Sequence, residues 1–224
     1  MEPAIRVRDV IVRSASGRDL LSIPELDVEP GEAVVVRGPS GAGKSTLLYA
    51  LAGLVLPTAG SIRWGETEIS SLGDAERTRF RRKYLGMVFQ DHLLFEELTA
   101  AGNAALPSLF APKAERRAVG DRAGALLHKL GIGAEPRRVT TYSGGERQRI
   151  SVVRALAGDP PIVLADEPTA SLDRASADQL TDDLFALADG RRTLIIASHD
   201  PAIQARAGRL VSVVDSKVRV SPYA

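Results

Sequence analysis

A glycine-rich segment at residues 38–45 has the residue types and spacing of a phosphate-binding loop. It reads Gly-Pro-Ser-Gly-Ala-Gly-Lys-Ser and fits the pattern G-x-x-x-x-G-K-[ST] at each required position. Its backbone N–H groups can turn inward around an anion, Lys44 can reach the β- and γ-phosphates, and the Ser45 hydroxyl can ligate Mg²⁺. The candidate nucleotide-binding residues are therefore Gly38, Pro39, Ser40, Gly41, Ala42, Gly43, Lys44, Ser45 and Thr46.

Two carboxylates end an apolar run in the second half of the chain. Asp166 and Glu167 directly follow residues 162–165, whose sequence Ile-Val-Leu-Ala is typical of a buried strand. Because ligands bind at the carboxyl ends of strands in open α/β sheets, Asp166 is predicted to hold Mg²⁺, mostly through its water shell. Glu167 is predicted to accept a proton from the water that attacks the γ-phosphate. An acidic pair that caps a helix is the alternative, and the nearby phosphate-binding motif makes it the weaker one.

The segment 142–149, Tyr-Ser-Gly-Gly-Glu-Arg-Gln-Arg, admits two interpretations. Ser143 and Glu146 form the pattern S-x-x-E, a capping box that starts a helix. That interpretation does not explain Gly144 and Gly145, because a glycine within a helix costs about 1 kcal/mol. Glycines allow a backbone to approach a ligand closely. Both interpretations hold together if the capped helix presents its N-terminal N–H groups to a phosphate.

Apolar runs between these motifs predict the elements that would position them. The run 33–36 leads into the phosphate-binding loop and a leucine stripe follows it, so the chain there goes strand, loop, helix. Runs at 162–165 and 193–198 flank a helical stripe over 177–187, and this βαβ arrangement predicts a parallel sheet. Further strand candidates are residues 5–12, 26–28, 61–64 and 85–89, with a hairpin over 211–220 that turns at 215–217.

The middle of the chain, residues 91–158, contains no convincing strand. An apolar stripe over 119–130, closed by Gly131, predicts a helix. We therefore expect an inserted helical lobe over 91–158 that ends with the Ser143 helix. Residues 1–90 and 159–224 are expected to form the nucleotide-binding α/β core with its β subdomain.

Composition excludes several classes of site and of partner. The chain has 224 residues and no cysteine, so disulfides and cysteine-ligated zinc are excluded. The formal charge is +1, which does not favour a nucleic-acid binder. The first residues do not resemble a signal peptide, and no run approaches the about 18 apolar residues that cross a bilayer. We expect a soluble, cytoplasmic chain whose membrane role, if it has one, comes through a partner.

Five motifs, in order, resemble those of ATP-binding cassette ATPases, the nucleotide-binding subunits of ABC transporters. The phosphate-binding loop comes first, and Gln90 matches the Q-loop glutamine of the family. Next come the matches to the signature (Ser143, Gly144, Gly145 and Glu146), the acidic strand end with the D-loop at 170–173, and the switch histidine, His199. The resemblance covers almost the whole chain, and the ordered set is more specific than any single motif.

This resemblance implies a fold, cofactors and a partner. The implied fold is α/β: a P-loop NTPase (RecA-like) core with a mainly parallel sheet, an N-terminal antiparallel β subdomain and an inserted α-helical lobe. The implied cofactors are ATP and Mg²⁺, with Ser45, Gln90 and Asp166 as metal ligands. Glu167, His199 and Gln90 would be catalytic, with His199 at the γ-phosphate. ATP on one subunit would be covered by the signature of a second subunit, in a head-to-tail dimer.

Residues 81–90 resemble a branch of the family that contains the lipoprotein-release ATPase LolD, the exporter MacB and the division protein FtsE. Members of that branch pair with a permease that has few membrane spans and often a large extracytoplasmic domain, which places this chain at the cytoplasmic face of the inner membrane. Residues 91–110 are expected to dock that permease, although the apolar side chains Leu93, Leu94, Phe95 and Leu98 are expected to lie mostly in the core of the lobe. The basic cluster at 77–83 favours a solvated face over contact with anionic lipid.

One departure from the family concerns the nucleobase. The family usually has an aromatic residue near the first strand that stacks on adenine, and the alignment places Ser14 there. We expect weaker or less base-selective binding unless Arg13 or a partner supplies the missing surface. Two other hypotheses are a soluble ABC-type ATPase acting on DNA or ribosomes, and a P-loop switch or kinase. The near-neutral charge disfavours the first and the Ser-Gly-Gly-Glu segment disfavours the second.

Overall fold

The computed structural model describes residues 3–133, 135–188 and 190–220, in which ten strands form one mixed sheet. The sheet order is β5-β4-β1-β2-β10-β9-β3-β8-β7-β6. The strands are β1 Ile5–Arg13, β2 Asp19–Val28, β3 Ala33–Arg37, β4 Ala59–Trp64, β5 Thr67–Glu68, β6 Leu85–Val88, β7 Ile162–Asp166, β8 Thr193–Ala197, β9 Arg209–Val214 and β10 Lys217–Val220.

Helices account for the other regular elements of the described residues, with one 3-10 turn at Val139–Thr141. None of these helices is long and apolar enough to cross a membrane. The helices are α1 Lys44–Leu51, α2 Asp74–Tyr84, α3 Ala100–Ala104, α4 Pro107–Phe110, α5 Arg116–Lys129, α6 Gly144–Leu156, α7 Arg174–Ala188 and α8 Pro201–Ala205.

The sheet has a parallel half and a largely antiparallel half. Strands β9, β3, β8, β7 and β6 run parallel, while β1 pairs antiparallel with β2 and β4. The parallel half brings the carboxyl ends of β3, β8, β7 and β6 to one edge of the sheet. This arrangement confirms the predicted α/β fold, and the predicted hairpin is also present as β9 and β10.

The two faces of the sheet bury two hydrophobic clusters. Every residue of β7 and β8 is buried, because helices cover these strands on both sides. One cluster contains α1 and the antiparallel strands, and there the Trp64 indole N–H donates to the Leu51 carbonyl at 3.1 Å. The other cluster joins residues of α3, α5 and α6 to the central strands. Helices α3, α5 and α6 therefore share a core with the sheet.

Strand β2 and helix α2 differ from the sequence prediction. Strand β2 begins at Asp19 rather than near residue 26, because its buried positions change phase between Ile23 and Leu26 and break the alternation of a regular strand. The partner strand β1 has a matching irregularity at Asp9, whose φ is 49°. Helix α2 was not predicted, because it buries only Arg77 and Phe80 and so shows almost no apolar stripe.

Two expectations about surface side chains were wrong in part. Leu93 and Phe95 are 54% and 56% exposed, so they do not lie in the core, although Leu94 packs against it. The loop around Phe95 is instead held by the buried Asn103 amide, which bonds both the N–H and the carbonyl of that residue. In the basic cluster, Arg77 is buried and pairs with Asp74. The cluster is therefore not a uniformly solvated face.

Candidate functional site

The phosphate-binding loop between β3 and α1 lies beside a cavity of about 220 Å³ at the carboxyl edge of the parallel strands. The cavity brings residues of that loop together with Gln90 and Glu167, which are far apart in the sequence. It also includes three residues that the sequence did not single out as its lining. The lining residues are Arg18, Leu20, Ser40, Gly41, Gly43, Lys44, Ser45, Thr46, Gln90, Glu167 and Ser216.

Gly43 fixes the path of the loop into α1. Its φ is 108°, and a Cβ at this position would lie 2.9 Å from the Leu20 carbonyl oxygen. Only glycine combines that dihedral with that approach. The Gly43 carbonyl accepts the first helical hydrogen bond, from the Leu47 N–H at 2.9 Å. Helix α1 therefore begins at Lys44, with its positive N-terminal end directed at the loop.

The Lys44 ammonium lies within the loop that it follows. Its Nζ donates to the carbonyls of Gly38 at 3.0 Å and Pro39 at 3.3 Å, and it lies 3.2 Å from Oε1 of Glu167. The side chain is buried, so its charge is weakly screened. A phosphate held by the loop amides would receive a positive charge from this position.

Asp166 ends β7 and accepts hydrogen bonds from two hydroxyl groups. Ser45 Oγ donates to Oδ1 at 3.0 Å, and Tyr49 Oη donates to Oδ2 at 3.1 Å. Burial raises the pKa of this carboxyl group above its usual range, and the two hydroxyl groups act in the opposite direction. The ionised carboxylate would gain from a nearby cation. The adjacent hydroxyl and carboxylate oxygens are the donor types that Mg²⁺ prefers.

Tyr49 is a site residue that the sequence reasoning missed. It lies four residues after Ser45 in α1, so the two hydroxyl groups share one face of the helix. That spacing was a usable signal, because a polar tip on an otherwise apolar helix face usually has a buried partner.

Glu167 has an unusual backbone and two charged or polar neighbours. Its φ is 42°, which is uncommon outside glycine, and its N–H donates to the Ala197 carbonyl at 2.8 Å. Oε1 lies near Lys44, and Oε2 lies 2.9 Å from Nδ1 of His199. The carboxylate is buried while His199 is exposed. Strained positions of this kind concentrate at functional sites.

Gln90 follows β6 and lines the cavity, and the turn after it is also strained. His92 and Leu93 have φ values of 58° and 48°. The Arg154 guanidinium of α6 donates to the carbonyls of both residues. Burial lowers the pKa of His92, which also contacts the Gly144 backbone. Arg154 therefore fixes the turn that follows Gln90.

The predicted signature residues form the start of α6 but do not line the cavity. Ser143 and Glu146 make the capping box: the Glu146 N–H donates to Oγ of Ser143 at 3.2 Å, and the Ser143 N–H donates to Oε2 of Glu146 at 2.8 Å. A Cβ at Gly145 would lie 3.1 Å from Oγ of Ser176, so α7 packs closely against this glycine. The Arg137 guanidinium lies over the Tyr142 ring, with Cζ of Arg137 3.8 Å from the ring centroid.

The residues near the first hairpin bear on the expectation about the nucleobase. Ser14 accepts a hydrogen bond from the Arg18 N–H at 3.1 Å and does not line the cavity. The Arg13 Nε donates to Asp19 at 2.8 Å, so it is already paired. Arg18 and Leu20 line the cavity instead, and none of its described lining residues is aromatic.

Proteins with similar sequences include two whose names describe transport systems. The macrolide export ATP-binding/permease protein MacB 1/2 of Paracoccus denitrificans is 40% identical over 222 residues, covering 96% of this chain and 33% of that protein. The lipoprotein-releasing system ATP-binding protein LolD 1 of Rhodospirillum rubrum is 39% identical, covering 97% of this chain and 98% of that protein. The chain thus spans about a third of the first relative and nearly all of the second.

Solved structures give a similar result. The ATP-binding cassette MJ0796, solved as a dimer in a post-hydrolysis state bound to ADP and Pi, matches with a TM-score of 0.86 and 30% identity over 98% of both chains. The cbiO1 structure from Clostridium perfringens has a TM-score of 0.84 at 23% identity, which shows the shared fold. The sequence profile described as ABC transporter matches residues 21–170. The chain therefore belongs to the ABC transporter family.

Proposed function

We propose that this chain is the ATP-binding and ATP-hydrolysing subunit of a membrane transporter of the MacB/LolD type. The observation that supports this most directly is the position of Glu167. Its carboxylate lies between Lys44 at 3.2 Å and His199 at 2.9 Å, beside the loop and Gln90. A proton acceptor, a cation and a loop that binds phosphates thus lie at one cavity.

The chemistry follows from these positions. Phosphoryl transfer to water needs mainly positioning and charge stabilisation. The loop amides and Lys44 bind and orient the phosphates, Glu167 takes the proton of the attacking water, and His199 holds the second oxygen of Glu167. Gln90, which also lines the cavity, helps to orient that water.

The residues of the site also suit Mg²⁺. Ser45, Asp166 and Gln90 would hold the ion, which would neutralise charge on the phosphates when it is bound. The described residues contain no group of three or more His, Cys, Asp or Glu side chains placed to hold a metal. Few protein ligands are expected for Mg²⁺, because it keeps several waters and binds substrate phosphates.

A second copy of the chain completes the site in this proposal. Ser143, Gly144, Gly145 and Glu146 lie outside the cavity of their own chain. Their helix end would cover the ATP held by the other subunit, in a head-to-tail homodimer. The dimeric form of the MJ0796 cassette supports this arrangement. We propose the same division as the sequence indicates, with a core of 1–90 and 159–224 and a lobe of 91–158.

The remaining proposed partner is a permease, and one surface groove is a candidate for its docking site. A groove of about 930 Å³, which we call the α2–α4 groove, lies between α2, β6, α4 and α6. Phe95 lines it, and Phe110 lines it while 67% exposed. We propose that a permease with few membrane spans and a large extracytoplasmic domain docks there, which places this chain on the cytoplasmic face of the inner membrane. MacB supports this, since its name describes an ATP-binding/permease protein.

The Glu167→Gln variant tests the enzymatic part. We expect hydrolysis to fall by about 10²- to 10⁴-fold, the usual contribution of a general base. ATP-dependent dimerisation, measured by light scattering, should increase because ATP persists at the interface. The exposed Glu66→Gln variant is the control and should resemble the wild type. Unchanged turnover in Glu167→Gln would contradict the role of Glu167 as proton acceptor. In a pull-down from native membranes, recovery of ribosomes or DNA-repair factors in place of a permease would contradict the transporter assignment.

A further inference from the structure

Arg137 lies in the loop before α6 and makes two contacts with the signature segment. Its Cζ is 3.8 Å from the centroid of the Tyr142 ring, and its Nη2 donates to Oε1 of Glu146 at 2.9 Å. Tyr142 is buried, so its ring is a fixed surface for the guanidinium. The loop itself is held by the Val139 N–H, which donates to the Leu98 carbonyl at 3.3 Å. These contacts set the position of the Arg137 charge beside the first turn of α6.

The Glu146 carboxylate uses both of its oxygen atoms. Oε2 accepts the Ser143 N–H at 2.8 Å and closes the capping box, while Oε1 faces Arg137. The bond from Ser143 lowers the pKa of Glu146, and the positive charges of Arg137 and Arg149 act in the same direction. The carboxylate is therefore ionised at neutral pH, and it places a negative charge at the N-terminal end of α6.

A negative charge at this position has two opposite effects. It stabilises the helix, because the N-terminal end of a helix carries a partial positive charge. The same charge opposes the binding of another anion at that helix end. The proposed function requires such an anion, since the start of α6 would cover the triphosphate of the other subunit. Stability alone is a weak reason for the ion pair of Arg137 and Glu146, because an ion pair that is open to solvent contributes little.

We infer that Arg137 is a positioning residue for ATP-dependent dimerisation: it neutralises the Glu146 carboxylate and so allows the start of α6 to approach the triphosphate on the other subunit. The inference rests on the proposed function, because it specifies a residue that acts at the interface of the head-to-tail dimer. The Tyr142 ring keeps the guanidinium in place, and the capping box keeps the carboxylate in place. Loss of Arg137 would therefore leave the carboxylate at the helix end without the charge that Oε1 now faces.

The Arg137→Gln variant tests this in the Glu167→Gln parent, in which the dimer is expected to accumulate. The ATP concentration for half-maximal dimerisation, measured by light scattering, should rise about 3- to 30-fold, the effect of one uncompensated charge near an anion. The ATP affinity of the separate subunit, measured with a fluorescent nucleotide at protein concentrations below dimerisation, should stay the same, because Arg137 does not line the cavity. Arg117→Gln removes a cation that is 93% exposed on α5, and this matched control should change neither value.

Adding Glu146→Gln to Arg137→Gln separates the charge at the helix start from its shape. Glutamine also closes a capping box, so the double variant keeps an acceptor for the Ser143 N–H and loses the carboxylate charge. If Arg137 acts through that charge, the dimerisation midpoint of the double variant should return to within about 2-fold of the parent. A purely structural role of Arg137 in the loop would give no such recovery.

The outcomes distinguish this inference from the proposed function. A midpoint of Arg137→Gln that matches the parent overturns the inference and leaves the head-to-tail dimer intact. A double variant that is as impaired as Arg137→Gln, or that fails to fold as Arg137→Gln does, also overturns it, because the charge of Glu146 is then not the cause. If the Glu167→Gln parent does not dimerise with ATP at all, the dimer of the proposed function is contradicted, and the inference fails with it.

Discussion

Tyr49 Oη donates a 3.1 Å hydrogen bond to Oδ2 of Asp166, while Ser45 Oγ donates at 3.0 Å to Oδ1 of the same carboxylate. Both hydroxyl groups come from one face of α1. Burial raises the pKa of Tyr49 to about 12, and the charge of Asp166 acts in the same direction. The phenol therefore stays protonated at neutral pH and remains a donor. It fixes the orientation of the carboxylate that we assign to the Mg²⁺ site.

The Tyr49→Phe variant should weaken Mg²⁺ binding during hydrolysis. A hydrogen bond to a charged group contributes about 1.5–3 kcal/mol, so kcat/KM should fall about 10-fold or more. The Mg²⁺ concentration for half-maximal hydrolysis should rise, while nucleotide affinity in EDTA stays the same. A Mg²⁺ titration of steady-state turnover measures both. Tyr84→Phe is the matched control, because Tyr84 packs on Phe80; an unchanged Mg²⁺ midpoint in Tyr49→Phe would refute the positioning role.

The Asp166→Asn variant should abolish hydrolysis and yet stabilise the nucleotide-free protein. Burial raises the pKa of Asp166, so the folded protein binds this proton more readily than the unfolded chain does. The ionised carboxylate therefore lowers stability at neutral pH, and this cost disappears as the pH falls through the folded pKa. Replacing it should raise the free energy of unfolding at pH 7 by about 0.5–2 kcal/mol.

Thermal unfolding without nucleotide checks this stability change. The melting temperature should rise by about 1–8 °C at pH 7, and the difference from the wild type should shrink as the pH approaches 4. Asp121→Asn is the control, since its side chain is 74% exposed on α5. A lower melting temperature of Asp166→Asn at pH 7 would mean that the two hydroxyl bonds outweigh the burial of the charge.

The sequence predicted the elements whose pattern is local, and missed contacts that only the tertiary structure creates. The apolar runs 162–165 and 193–198 predicted buried strands, and their parallel pairing placed Glu167 beside the phosphate-binding loop. The bond between Tyr49 and Asp166 joins residues 117 positions apart, so the position of Tyr49 on α1 could indicate a buried partner but not which residue that partner is. Helix α2 was not predicted from the sequence, because its core contacts come from one phenylalanine and the buried stem of an arginine.

Arg18 should set the affinity for the nucleobase. It lines the cavity, whose described lining contains no aromatic residue, and a planar guanidinium can stack on a base. We expect Arg18→Ala to weaken ATP binding by about 2- to 5-fold, the effect of an exposed cation–π contact. Arg18→Tyr should tighten it, because base–aromatic stacking contributes about 1–3 kcal/mol. Fluorescent nucleotide titration measures both changes in ATP affinity. If the affinity for triphosphate alone changes by the same factor as the affinity for ATP, Arg18 does not contact the base.

Mixing two inactive variants tests whether each site is built from two chains. Lys44→Ala disables the phosphate-binding loop, and Ser143→Arg disables the helix start that we propose to cover the other subunit's ATP. At equal amounts, about half of the dimers contain both variants, and each of these has one intact site, so about a quarter of the wild-type activity should return.

Mixing Lys44→Ala with Glu167→Gln is the control. Both of those changes lie on the loop-bearing side of a site, as the 3.2 Å contact between Lys44 and Glu167 indicates, so that mixture should stay inactive. If the Ser143 mixture also stays inactive while its variants still fold, the signature does not act across a head-to-tail interface.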